Sequence, residues 1–192
     1  MTKRRARLPV EQGDIDGLCA VYATLNACKL LFGHTEKQDE KLFEVLCAGI
    51  ADLFPQILWD GTGVPTMYRL FRIADAWVQK KHKARLVWSA PLMRTKFSRA
   101  DRFFARLRGD LETAQETGRA AWIVGLGAPW EHWTVIERIS GGVVWFYDSW
   151  GMGHYRFDSF TLDKDKAGEG KGKKIMIDTH QTFLLRASPL DP

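Results

Sequence analysis

The sequence predicts an α+β protein, with helices in its first half and antiparallel strands in its second. Before Gly118 the apolar residues recur mostly at helical spacing. After it, short β-branched and aromatic runs are separated by glycine-rich turns. The two textures do not alternate, as a parallel βαβ sheet would require.

Residues 1–11 read as a flexible basic arm, and 12–192 as one domain with a mainly helical part (12–117) and a mainly strand part (118–192). Leu18, Val21, Tyr22, Leu25 and Cys28 share one face of a helix that Gly33 stops near Phe32. Asp16 is its expected N-cap. Thr35 with Gln38 matches a capping box, and the helix it opens turns Leu42, Phe43, Leu46 and Ile50 inward. After WDGTG, Pro65 suits the first turn of a helix running to about Lys80. ARLVW at 84–88 is strand-like. From Ser98 a further helix buries Phe103, Leu107 and Leu111 and turns Arg99, Arg102 and Arg106 elsewhere.

The strand half reads AAWIVGL, HWTVIERI, GVVWFYDSW, HYRFDSF and KIMIDTHQTFLL. Ser140-Gly141-Gly142 predicts a tight hairpin connection. There is no internal repeat, and low complexity is confined to 163–174.

Composition narrows the function classes. No apolar run reaches the roughly 20 residues that span a bilayer. MTKRRARLPVEQGD has no apolar core behind its charge, unlike a secretory signal. Three cysteines without a CxxC pair argue against a disulfide framework or structural zinc, and the histidines lack metal-ligand spacing. The glycine pairs do not form phosphate loops. The expectation is a cytoplasmic protein with reduced thiols and no cofactor; export without a cleavable signal would leave no mark. The net charge of +5 is uneven, since Asp101 is the only acid between Lys80 and Arg108 and lysines recur in KDKAGEGKGKK. These stretches would suit an acidic protein or nucleic acid, but without a nucleic-acid motif the charge reads first as a solvated face and mobile loop, and nucleic acid is the less expected partner.

The chemistry centres on QGDIDGLCAVYATLNA, where Cys19 falls in the predicted first turn of a helix. Unpaired N–H groups and the helix dipole favour an anion there. A free thiol is only a few per cent ionised at neutral pH, and helix starts and imidazolium neighbours raise that share. His132, opening a predicted strand beside the loop GLGAPWE, is the candidate base. Asp148, at the end of the following strand, lies laterally near it and can orient the imidazole. Gln12 and the Cys19 backbone N–H are candidate oxyanion donors. Cys28 and Cys47 lack such a setting and read as core thiols.

These residues resemble those of papain-like cysteine peptidases, especially the compact double-glycine-leader (bacteriocin-processing) peptidases. The shared order is Gln, Cys at a helix start, then His and Asp or Asn on successive strands. HWTVIERISGGVVWFYDSWGMGHYRF resembles the papain block ending in Asn-Ser-Trp-Gly, and the patch 12–28 carries the rest. The resemblance implies a Cys helix in a helical lobe packed against an antiparallel or half-barrel lobe carrying His and Asp. It implies Cys19 as nucleophile, His132 as base then acid, Asp148 as orienter and Gln12 as oxyanion donor. Trp150 matches the tryptophan that shields the His–acid pair. The Gln-to-Cys interval is one residue longer than usual, so Asp14 or a second backbone amide are substitutes for Gln12.

The expected function is hydrolysis of a peptide or isopeptide bond through a thioester, with a protein or peptide as substrate. Trp130, Trp133 and Trp150 are the expected substrate-binding aromatics. The same acyl-enzyme could serve transglutamination, deamidation or acyl transfer. Asp16-Gly17-Leu18-Cys19 with His154-Tyr155 also resembles ovarian-tumour-type deubiquitinases, which would make His154 the base. A papain-fold binding protein without turnover, using Arg99, Arg102 and Arg106 on an acidic partner, is a further alternative.

Overall fold

The computed structural model describes residues 8–12 and 17–190. Five helices are present among them: α1 (Cys19–Phe32), α2 (Glu36–Ala48), α3 (Ile57–Asp60), α4 (Val64–His82) and α5 (Ala100–Glu116). The strands are β1 (Ala84–Ser89), β2 (Ala120–Leu126), β3 (His132–Ser140), β4 (Val143–Phe146), β5 (His154–Arg156), β6 (Phe160–Thr161) and β7 (Ile175–Pro189). The main sheet runs β1-β7-β2-β3-β4-β5, antiparallel throughout, and β6 lies parallel to the start of β7.

Local signals set most element ends. Gly33 closes α1 in the left-handed conformation, at φ 75°, where a Cβ is costly. The Thr35–Gln38 capping box forms in both directions. Pro65 sits in the first turn of α4. Gly141 and Gly142, both at positive φ, make the two-residue turn that pairs Ser140 with Val143. The helix read from Ser98 starts instead at Ala100, with Arg99 at the cap.

Helices cover both faces of the sheet. Ala121, Ile123, Trp133, Val135, Phe183 and Leu185 face a core built with α1, α2 and α4. Their alternates Trp122, Val124, Ile136 and Leu184 face a second core with Phe103, Phe104, Leu107 and Leu111 of α5. Side chains alternate across a strand, so β2 must be apolar throughout, and every residue of it is buried. The division into a helical and a strand half is therefore sequential more than spatial. β1, from the first half, is an edge strand paired with β7, and α5 backs the strands from behind.

Two further details differ from expectation. Of the expected loose arm, residues 1–7 lie outside the described residues, and the rest is held: Val10 exchanges two hydrogen bonds with Asn26, and Leu8 accepts one from the Tyr147 hydroxyl. The lysine-rich stretch folds back on itself, with Lys174 N–H donating to the Lys166 carbonyl and Gly168 N–H to that of Lys174. Lys29 is buried in the last turn of α1, 2.9 Å from Asp39 of α2.

Candidate active site

Cys19 is the first residue of α1, and the helix packs on β3. The N-cap is Leu18, without a side-chain cap bond, and the expected cap Asp16 lies outside the described residues, as does Asp14. Gly17 fixes the approach to the helix. Its N–H donates to the Leu58 carbonyl at 3.1 Å. A Cβ there would sit 2.6 Å from the Ile57 oxygen and 2.7 Å from that of Leu58, so only glycine lets the chain pass α3 this closely.

His132 opens β3, directly after a turn in which Trp130 and Glu131 N–H groups both donate to the Gly127 carbonyl. Glu131 takes φ 43°, a left-handed conformation uncommon outside glycine, in the step that delivers the imidazole. His132 is 2% exposed. Its Nε2 lies 2.7 Å from Asp148 Oδ1, and its buried Nδ1 has no hydrogen-bond partner. Burial disfavours the charged ring, but the Asp148 carboxylate and then the Cys19 thiol beside it outweigh burial. Together they push His132 up to about 9.

Asp148 stands two residues beyond β4 rather than at its end, and the chain stays in register there because Tyr147 N–H donates to the Val135 carbonyl. Its second oxygen accepts the Trp150 N–H at 2.7 Å and the Met152 N–H at 3.3 Å. Burial works against this carboxylate, but the His132 contact, the Thr134 hydroxyl and the Trp150 amide hold it below its ordinary range. Trp150 lies flat on the imidazole, 4.4 Å between centroids and 6° between planes, while remaining half exposed. It covers the His–Asp pair from the solvent side.

Gln12 reaches the same turn. Its N–H donates to the Ser149 carbonyl at 3.0 Å and its side-chain oxygen accepts from the Ser149 hydroxyl at 3.3 Å. The structure thus brings Cys19, His132 and Asp148 together, with Trp150 over them and Gln12 alongside the turn that carries Asp148.

The other sequence candidates fall elsewhere. Trp133 is 4% exposed and offers no open face to a substrate; its indole N–H donates to the Thr62 carbonyl at 2.8 Å. Trp130 is half buried against Tyr155. His154 is on edge strand β5, stacked on Trp145, which pairs with Arg138. Arg138 is six residues along β3 from His132, roughly 20 Å at strand rise, so the imidazole beside Cys19 is His132. Cys28 is fully buried in the core, its thiol pushed far up by burial and by Asp39 and Asp75. Among the described residues no cluster of three or more His, Cys, Asp or Glu could hold a metal ion.

One contributor escaped sequence reading. Thr134, which helps hold the Asp148 carboxylate, follows His132 at the same-face interval, a signal available from strand alternation. No family model, curated protein or solved structure matches this chain.

Proposed function

We propose that this protein is a cysteine peptidase of papain-like type, hydrolysing peptide or isopeptide bonds through Cys19. One observation carries the reading. A buried imidazole bonded through Nε2 to a buried carboxylate leaves its other nitrogen unpartnered, beside a thiol at a helix start. The buried His34 also has nitrogens without hydrogen-bond partners, so it is the Cys19 thiol beside the His132 ring that sets this site apart.

The steps follow from those atoms. The proton of Cys19 rests on His132 Nδ1 before attack, in keeping with the ring's upward shift to about 9, and Sγ then attacks the carbonyl carbon. The tetrahedral oxyanion accepts bonds from the Cys19 backbone N–H and from the Gln12 side-chain amide, whose other end is held by Ser149. His132 then returns the proton to the leaving amine, and the C–N bond breaks to give a thioester. Water, deprotonated by the same nitrogen, cleaves the thioester and restores the thiol. Asp148 holds the ring orientation and favours its cation.

The basic-face binding alternative is weaker in the fold. Arg99 pairs with Asp101 and Arg106 with Asp110, so two of the three arginines face a charge within the chain.

The test is alkylation by iodoacetamide at pH 6 with mass mapping of the three thiols. The expected result is Cys19 labelled at least tenfold faster than Cys47, with Cys28 inert. Equal, slow labelling of Cys19 and Cys47 rejects the reading. Trapping by an electrophilic peptide probe at Cys19, lost in His132→Ala, then separates a peptidase from a reactive thiol.

A further inference from the structure

Five described segments carry or frame the candidate triad: 8–12, 17–19, 57–63, 127–132 and 147–153. Together they contain no lysine or arginine, in a chain with 28 such residues and a net charge of +5. They contain four acids: Glu11, Asp60, Glu131 and Asp148. Asp148 is buried and committed to His132, while the other three are exposed. None of these three takes part in an ion pair among the described residues, unlike most acids near the chain's arginines.

The same segments hold all three large apolar side chains that stand exposed among the described residues, Leu8, Trp59 and Trp150, and two of these are indoles. The segment that carries Trp59 is tied at both ends to the chain next to the triad residues. Leu58, its neighbour, takes the Gly17 N–H two residues before Cys19, and Thr62 takes the Trp133 indole N–H one residue after His132. Trp150 lies over His132 itself. An indole at 74% exposure contributes nothing to the core, so burial does not explain Trp59. Glu131 is held in a left-handed backbone conformation immediately before the base, a strained position of the sort that clusters at functional sites. These segments carry Cys19 and the His132 Nδ1 that serves it, so a peptide presented to Cys19 meets them.

We propose that the substrate is a cationic peptide segment, bearing arginine or lysine close to the bond presented to Cys19. This rests on the peptidase reading and specifies its substrate. The physical basis is twofold. Exposed indole faces attract guanidinium and ammonium groups through the ring quadrupole, most strongly once a bound peptide excludes water. Unpaired carboxylates at the rim complement the same charge and repel acidic segments. Trp59 and Asp60, adjacent on α3, supply both kinds of contact from one side. Glu131 supplies the second kind from the His132 side, with Trp150 between.

The experiment uses two peptidyl vinyl sulfones of equal length, alike except for arginine or glutamate in the two positions next to the warhead. Cys19 labelling rates are normalised to iodoacetamide alkylation of Cys19 in the same variant. The expected result is the arginine probe reacting at least about tenfold faster at low salt, with the advantage shrinking as salt is raised. Asp60→Asn with Glu131→Gln should bring the ratio down several-fold, Asp60→Glu should retain it, and Trp59→Ala should lower it about threefold. The change Glu112→Gln, on the exposed face of α5, should leave the ratio as it was. Equal arginine and glutamate rates with fast iodoacetamide alkylation overturn the cationic substrate and leave the peptidase reading standing. Slow iodoacetamide alkylation of Cys19, no faster than Cys47, overturns both.

Discussion

The Trp150 indole lies parallel to the His132 imidazole at 4.4 Å, with half its own surface in solvent. An aromatic left this exposed while covering a buried ion pair protects that pair from water at the open end of the site. Aromatic pairs are worth about 0.5–1.5 kcal/mol beyond area burial. Trp150→Ala should therefore slow Cys19 alkylation by about two- to tenfold, and Trp150→Phe should recover most of the rate. Alkylation at the wild-type rate in Trp150→Ala would show that the stack does not support the imidazole.

The His132–Asp148 contact makes stability depend on pH in a stated direction. His132 is pushed from 6.5 to about 9 by Asp148 and Cys19 against burial. A folded state that holds a proton more tightly than the unfolded chain is stabilised fully below about 6.5, and that contribution is lost as pH rises through about 9. Asp148 is shifted down, so its contribution is present above 3.8 and is lost on acidification below that value. Between pH 6.5 and 9 the wild type should lose on the order of 2–3 kcal/mol relative to Asp148→Asn. Urea denaturation of both proteins at pH 6, 7.5 and 9.5 measures this. Parallel pH dependences would mean the pair does not carry the charge.

Gly17 gives a sharper geometric test. A Cβ at this position meets two backbone oxygens of α3, at 2.6 and 2.7 Å, and neither can swing aside as a side chain would. Gly17→Ala should cost about 1–3 kcal/mol and slow Cys19 alkylation, because the strain falls two residues before the thiol. Gly109 in α5 is the contrast. It is exposed, nothing lies within 4 Å of its Cβ, and Gly109→Ala should stabilise by up to about 1 kcal/mol with no effect on Cys19. Calorimetric midpoints of the two variants moving in the same direction would refute the account.

What sequence reading recovered follows the range of the forces involved. The Thr35–Gln38 box, the Gly33 stop, Pro65 in the first turn of α4 and the Gly141-Gly142 hairpin are each decided within four residues, and all form. The pairing of His132 with Asp148 was legible because one hairpin joins them. The cap of α1 was not, since tight packing of Gly17 on α3 places Leu18 there, and that contact spans about 40 residues. Nor was the role of Trp133, whose composition suggested a cleft wall while its indole serves a distant carbonyl at Thr62. β1 joins β7 across nearly 100 residues, and apolar periodicity carries no record of which strand will be its neighbour.

Asn26 connects the nucleophile's helix to the turn that carries the acid. It is 1% exposed; its side-chain oxygen accepts the Val10 N–H at 2.7 Å and its amide donates to the Val10 carbonyl at 3.1 Å. From Val10 the chain runs to Gln12, whose N–H is bonded to Ser149, while Leu8 is bonded to the Tyr147 hydroxyl. Asn26→Ala removes both Val10 bonds and should cost about 1–3 kcal/mol. Amide exchange at Val10 and Gln12 should quicken while Ile123, in the middle of β2, stays protected. The functional consequence separates two roles. Iodoacetamide alkylation is a direct displacement at carbon and passes through no oxyanion, so Asn26→Ala should alter it little. Peptide-bond cleavage does form an oxyanion and should fall by ten- to a hundredfold if Gln12 donates to it. Equal reductions in alkylation and cleavage would place the effect on Cys19 or His132 instead, and would remove Gln12 from the mechanism.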